Sequence, residues 1–139
     1  MNSGTLARFA CLVTWLGALV TTALAQELQP YPAPQITVEQ WAKYAEEVRQ
    51  LHEASAQIYK DKQLVVFSDP RTRTFWVFTL KDHPAHPAWI TRQMFEDGGQ
   101  VRVRQIGYFA GSEPEFAKLF REYQDRNEQL REDVEKRNR

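Results

Sequence analysis

The sequence has only one cysteine, Cys11, among 139 residues. A chain with a single thiol cannot form an intramolecular disulfide or a thiolate-rich metal site. It also has no excess of one charge, because 18 basic residues balance 18 acidic ones. Overall charge therefore gives no reason to expect binding to nucleic acid or to an anionic membrane surface.

Motifs of catalysis are missing as well. None of the three histidines has H-E-x-x-H spacing, no serine stands in a G-x-S-x-G context, and the glycines lack phosphate-loop spacing. His83 and His86, on a loop that also holds two prolines, are the only candidates for a catalytic pair. We therefore expect no metal and no cofactor, and we favour a binding protein over an enzyme.

Long hydrophobic runs are scarce. The one at residues 9–20 is shorter than the roughly 20 residues that a membrane span needs. It follows Arg8 and precedes Ala23-Leu24-Ala25, a small-x-small cleavage site. This order predicts a secretory signal peptide over residues 1–25. Cleavage would remove Cys11 and deliver a cysteine-free chain, without a membrane span, to the bacterial periplasm or the medium.

The remaining residues divide into a tether and one domain. Three alternating prolines in residues 26–36 predict an extended tether. Thr37 and Gln40 have the spacing of a capping box, and apolar residues recur at helical intervals from there to about Tyr59, which predicts a helix. A second, highly charged helix is predicted over residues 113–137. The strand-like segments between the helices are 64–68, 73–80, 88–96 and 100–109.

This element order predicts an α+β domain over residues 37–139. We expect a meandering antiparallel sheet of about four strands, with the N-terminal and the C-terminal helix packed on one face. The other face of the sheet would then be open to solvent.

The richest pattern lies in the last two strands, which flank Asp97-Gly98-Gly99, a tight hairpin signal. With a two-residue loop, aromatic and arginine side chains share one face of this hairpin. Arginine beside aromatic rings is common at recognition surfaces, although it also occurs on ordinary solvated sheets. The hypothetical binding residues are Trp89, Phe95, Arg102, Arg104 and Tyr108.

The charged C-terminal helix carries a heptad seam that includes Tyr123, Asn127, Leu130 and Val134. The seam can pack antiparallel on the first helix, whose stripe has the same spacing, and we favour this pairing. Alternatively, these four residues form a homodimer or bind a partner helix.

Three functions follow from these patterns. The first is an exported, non-enzymatic binding or accessory protein of the cell envelope. It would engage a protein partner through the arginine and aromatic face or the charged helix. The second is a periplasmic protein that binds an anionic or sugar-like small ligand between sheet and helices. The third is a small hydrolase that uses His83 or His86.

Overall fold

Two helices and five strands make up residues 31–139, which form one compact unit in the computed structural model. The structure describes residues 28–139, so the predicted signal peptide, residues 1–25, lies outside the described part. The elements are α1 (Val38–His52), β1 (Gln57–Tyr59), β2 (Leu64–Asp69), β3 (Thr74–Thr79), β4 (Ala88–Asp97), β5 (Gln100–Phe109) and α2 (Glu113–Arg137).

The strands form a single antiparallel sheet in the order β1-β2-β3-β4-β5. The predicted α+β class and the antiparallel meander are therefore confirmed. Thr37 caps α1 with the predicted capping box, and Ser112 caps α2. Both helices begin where these side chains satisfy free backbone N–H groups.

The sheet has five strands because the first helix is shorter than predicted. Helix α1 ends at His52, a short 3₁₀ turn follows, and residues 57–59 pair with β2. Ser55 explains the change of direction: its hydroxyl donates to the His52 carbonyl (2.7 Å) and accepts from the Ser68 amide (2.9 Å). Ile58, which continues the helical stripe in the sequence, is consequently an exposed residue of edge strand β1.

The two helices cover opposite faces of the sheet, so the prediction of one shared face was wrong. Tyr44 and Val48 of α1 pack with Trp76, Phe78 and Trp89 on one face. Three residues of α2 pack with the other, together with side chains of β2, β3 and β4; they are Phe116, Leu119 and Tyr123. The reason is strand β3, which is apolar on both faces and therefore needs cover on both. The sheet stands between the helices, so the favoured pairing of α2 on α1 does not occur.

The segment before α1, predicted as an extended tether, bends at residues 31–34 and is joined to the domain. The Phe109 amide donates to the Pro34 carbonyl, and the Ile36 amide donates to the Phe109 carbonyl (both 2.9 Å). Gln35 thus lies parallel to the end of β5. The Tyr31 ring contacts the Trp89 and Tyr108 rings edge-on. Residues 34–36 consequently occupy one end of the outer edge of β5.

Candidate functional site

The hairpin of β4 and β5 has the two-residue loop on which the predicted binding face depends. Asp97 pairs with Gln100, and Gly98 and Gly99 between them have positive φ angles of 59° and 78°. This conformation favours glycine and asparagine. Trp89 lies opposite Tyr108, and Phe95 opposite Arg102. The arginine and aromatic residues therefore do share one face of the sheet.

Helix α1 covers half of that face, however. Trp89 is fully buried, stacked on Tyr44 with 4.4 Å between ring centroids, and Tyr108 is buried beside it. The Tyr108 hydroxyl donates to the Tyr31 carbonyl (2.8 Å). These two predicted binding residues belong to the core under α1 and are not available to a partner, because the sheet is covered on this side too.

The accessible remainder of the face lies beyond the end of α1, near the hairpin tip. Arg102 and Arg104 are exposed and Phe95 is half-buried. Arg102 pairs with Asp97 (Nε to Oδ2, 3.0 Å), whereas the Arg104 guanidinium lies 5.7 Å from the centre of the Phe95 ring. Within residues 28–139, Arg104 has no carboxylate partner. An exposed cation on an aromatic ring is available to an acidic group.

The outer edge of β5 is open beside this surface. Phe109 directs its backbone N–H and C=O away from β4, toward residues 34–36. Because backbone groups alternate along a paired strand, Val101, Val103 and Gln105 direct theirs the same way. No backbone group of residues 28–139 pairs with them. Three consecutive outward-facing residues therefore offer unpaired donors and acceptors.

A cleft of about 610 Å³ runs along this edge, between β5 and α2. Val101, Val103 and Leu130 provide apolar lining, and Arg102 stands at its border. Its other lining residues are Phe95, Gln105, Gln124, Asn127, Glu128 and Arg131. The open strand edge, the apolar lining and the arginine surface are thus continuous.

The heptad seam of α2 faces its own sheet. Tyr123 is buried, and Asn127 accepts a hydrogen bond from Arg92 Nε (2.8 Å) and donates to Gln105 Oε1 (2.6 Å). Leu130 lines the cleft beside β5, and Val134 lies near the hairpin loop, beside Gly99 and Gln100. Tyr123 and Asn127 are therefore engaged within the chain and are not free to form the hypothetical helix dimer.

Sequence reasoning missed a second cleft, of about 200 Å³, on the same side of the sheet as α2. Arg92, Tyr123 and Arg126 line it together with Tyr59 and Lys62. Both arginine guanidinium groups lie over the Tyr123 ring, at 5.2 and 5.3 Å from its centre. The signal was present in the sequence, because Arg92 occupies a strand position that shares its face with core residues.

The histidines are engaged in local structure. His86 Nδ1 lies 3.0 Å from the Thr79 hydroxyl, and its ring packs edge-on against Trp41. His83 Nδ1 accepts from the Ala85 amide (3.0 Å), and burial lowers the pKa of His83. Among residues 28–139, no group of three or more His, Cys, Asp or Glu side chains is placed to hold a metal ion. The arrangement gives no support to a hydrolase that uses this loop.

Comparisons with protein-family models, with curated proteins and with solved structures find no match to this chain. Within the part of the chain that the structure describes, no helix has the length and apolar character of a membrane span. The candidate sites of the described residues are therefore the two clefts and the open edge of β5.

Proposed function

We propose that this chain is an exported, non-enzymatic binding protein that takes an extended segment of a partner protein along the open edge of β5. The observation that carries the proposal is the row of outward backbone groups at Val101, Val103 and Gln105, which no described residue satisfies. Exposed strand edges are templates for an added strand, and addition of a strand is a common mode of peptide recognition.

The chain already uses this mode at the neighbouring position. Residues 34–36 dock on Phe109 through two backbone hydrogen bonds of 2.9 Å. This end of the edge thus accepts an added segment, and a partner segment would continue the same row toward the hairpin tip.

The two sides of the edge define the chemistry of the partner. Alternate side chains of an added strand point to opposite faces. One set would meet Val103 and Leu130 on the α2 side of the sheet, and the other would meet Phe95 and Arg104 on the opposite side. The best partner is therefore an extended segment in which apolar residues alternate with polar residues, one of them acidic and opposite Arg104.

A second copy of this chain fits the edge less well. If two β5 strands paired antiparallel about Val103, Arg102 of each would lie opposite Arg104 of the other. Like charges directly opposite each other destabilise a strand pair. We therefore assign the edge to a different protein and expect the chain alone to be monomeric.

The test removes one edge donor without touching the pairing of β5 with β4. The full chain is immobilised, peptides are selected from a random display library, and the selected peptide is titrated in solution. Val103→Pro deletes the outward N–H, and proline is tolerated on an edge strand where its N–H would face solvent. Val103→Ala is the matched control, because it keeps the N–H and removes the side chain.

We expect Val103→Pro to abolish binding, Val103→Ala to weaken it modestly, and Arg104→Ala to weaken it about 10- to 100-fold. Binding should also slow hydrogen exchange at the amides of Val101, Val103 and Gln105. A peptide that binds Val103→Pro as tightly as the parent chain would disprove strand addition, as would a selection that enriches no alternating sequence.

Export belongs to the same proposal and has its own test. Residues 1–25 have the three parts of a signal peptide. When the full chain is expressed in a bacterium, we expect periplasmic protein whose mass corresponds to cleavage after Ala25. Uncleaved protein in the cytosol would contradict this part of the proposal and leave the peptide-binding test unaffected.

A further inference from the structure

The smaller cleft, between α2 and the strands β2 to β4, combines cations with an apolar floor. Leu64, Val66, Phe75 and Val77 line it from the sheet. Lys62, Arg92 and Arg126 add three positive side chains, and Tyr59 and Tyr123 add two phenols. No acidic residue is among the residues that line it.

Arg92 is the unusual member of this set. Its side chain is largely removed from solvent, and burial is the main cause that lowers its pKa. Arg92 forms no ion pair within residues 28–139, and the other arginines that lack one there, such as Arg104 and Arg121, are exposed, whereas Arg92 is not. Its Nε–H donates to the neutral Asn127, which leaves the two terminal amino groups of the fork for another acceptor.

The surroundings add positive charge and do not neutralise Arg92. Tyr123 raises the pKa of Arg92 and Arg126 lowers it, and both guanidinium groups lie over the Tyr123 ring. Burial raises the pKa of Tyr123, so its phenol stays protonated and can donate a hydrogen bond at neutral pH. Glu122 acts on Tyr123 electrostatically but does not line the cleft. A largely buried cation without an anionic partner is costly, and an anion from outside would reduce that cost.

We propose that this cleft binds a phosphate monoester group, with the Arg92 fork at its base and Arg126 and Lys62 at its rim. A cleft with three cations and no acidic residue suits the two negative charges of a phosphate monoester better than the single charge of a carboxylate. An arginine fork donates two parallel hydrogen bonds to phosphate. The volume of about 200 Å³ is below the roughly 300–1,000 Å³ of clefts for drug-sized ligands, so the group enters with only a short organic stem.

This site is separate from the peptide-binding edge. It lies against β2, β3 and β4, whereas the larger cleft lies along β5. Phosphate binding in the smaller cleft requires neither Val103 nor Arg104, so the tests of the two proposals are independent.

The test is a titration of the full chain with inorganic phosphate at constant ionic strength, against chloride and acetate as references. Binding is followed by calorimetry and by the NMR signal of the Arg92 side-chain Nε–H. Arg126→Gln removes a rim cation from an exposed position. Arg121→Gln is the matched control, because Arg121 is exposed on the same helix and does not line the cleft.

We expect phosphate to shift the Arg92 signal and to bind tighter than acetate. Arg126→Gln should weaken phosphate binding about tenfold, and Arg121→Gln should leave it unchanged. Equal weakening in the two variants would show a general charge effect and overturn the proposal, as would phosphate that binds no better than chloride. Because Arg126 and Arg121 are exposed, the comparison does not depend on whether an Arg92 variant folds.

Two further binding experiments identify the source of the phosphate group. Glycerol 3-phosphate presents it on a small soluble molecule, and vesicles with phosphatidic acid present it on a membrane. Stronger shifts of the Arg92 signal with the soluble ester support a metabolite. Sedimentation with the vesicles, lost in Arg126→Gln but retained in Arg121→Gln, supports a lipid headgroup. If neither form competes with inorganic phosphate, the assignment to a monoester is wrong.

Discussion

Replacement of Gly107 by alanine tests the packing that positions α2, and with it both clefts. Gly107 lies in β5 directly beneath the first turns of α2. A Cβ atom at this position would lie 2.5 Å from Cζ of Phe116 and 2.9 Å from Cδ2 of Phe120. Real Cβ atoms do not approach carbon so closely, so the helix or the rings must move. Phe116 has little freedom to do so, because it is buried and stacked on Phe109.

The sign of the change in the free energy of unfolding shows whether packing against α2 or strand propensity dominates at residue 107. Alanine in a strand is favoured over glycine by about 0.5–1 kcal/mol. Inserting a methyl group into a filled core costs about 1–3 kcal/mol. We therefore expect Gly107→Ala to lower the free energy of unfolding by about 1–2 kcal/mol, and Tm by roughly 4–10 °C for a domain of this size.

The assay is urea unfolding of the single variants and of the double variant with Phe116→Leu. Leucine lacks the ring atom that a Cβ at residue 107 would contact, so the cost of Gly107→Ala should fall in that background by more than about 0.5 kcal/mol. Additive free energies, or a Gly107→Ala variant as stable as the parent chain, would refute the close packing of α2 on this glycine.

Three further predictions address α2, α1 and the histidine loop. Asn127→Ala removes the hydrogen-bond partner of the Arg92 Nε–H and of Gln105 Oε1, and should cost about 1–3 kcal/mol in urea unfolding. The Tm of this variant should not depend on protein concentration; a concentration-dependent Tm would instead indicate a helix dimer. Thr37→Ala removes the capping box and should cost about 1 kcal/mol, which Thr37→Ser largely restores; equal stability would contradict the cap. Burial holds the pKa of His83 below 6.5, so the unfolded chain binds the proton first. Stability should therefore fall as the pH drops below 6.5, and His83→Gln should flatten that part of the pH profile.

At the candidate site, the strand pattern predicted which residues share a face of the sheet but not what covers that face. Alternation in β4 and β5 placed Trp89, Arg102 and Tyr108 on one face, which is correct because Asp97-Gly98-Gly99 dictates a two-residue loop. Alternation cannot say what covers a face. Trp89 and Tyr108 therefore proved to be core residues, and Arg92, on the opposite face, proved to line a cleft.

The sequence by itself determined the features that depend on neighbours along the chain. The caps at Thr37 and Ser112, the glycine hairpin and the strand β3 with two apolar faces follow from side chains within a few residues of one another. Only the tertiary structure decided that α1 ends at His52 and that the helices take opposite faces. These features depend on pairings such as β1 with β2 and on the need of β3 for cover on both sides. Such contacts join residues distant in sequence, and their free energies override the local preference of the residues involved.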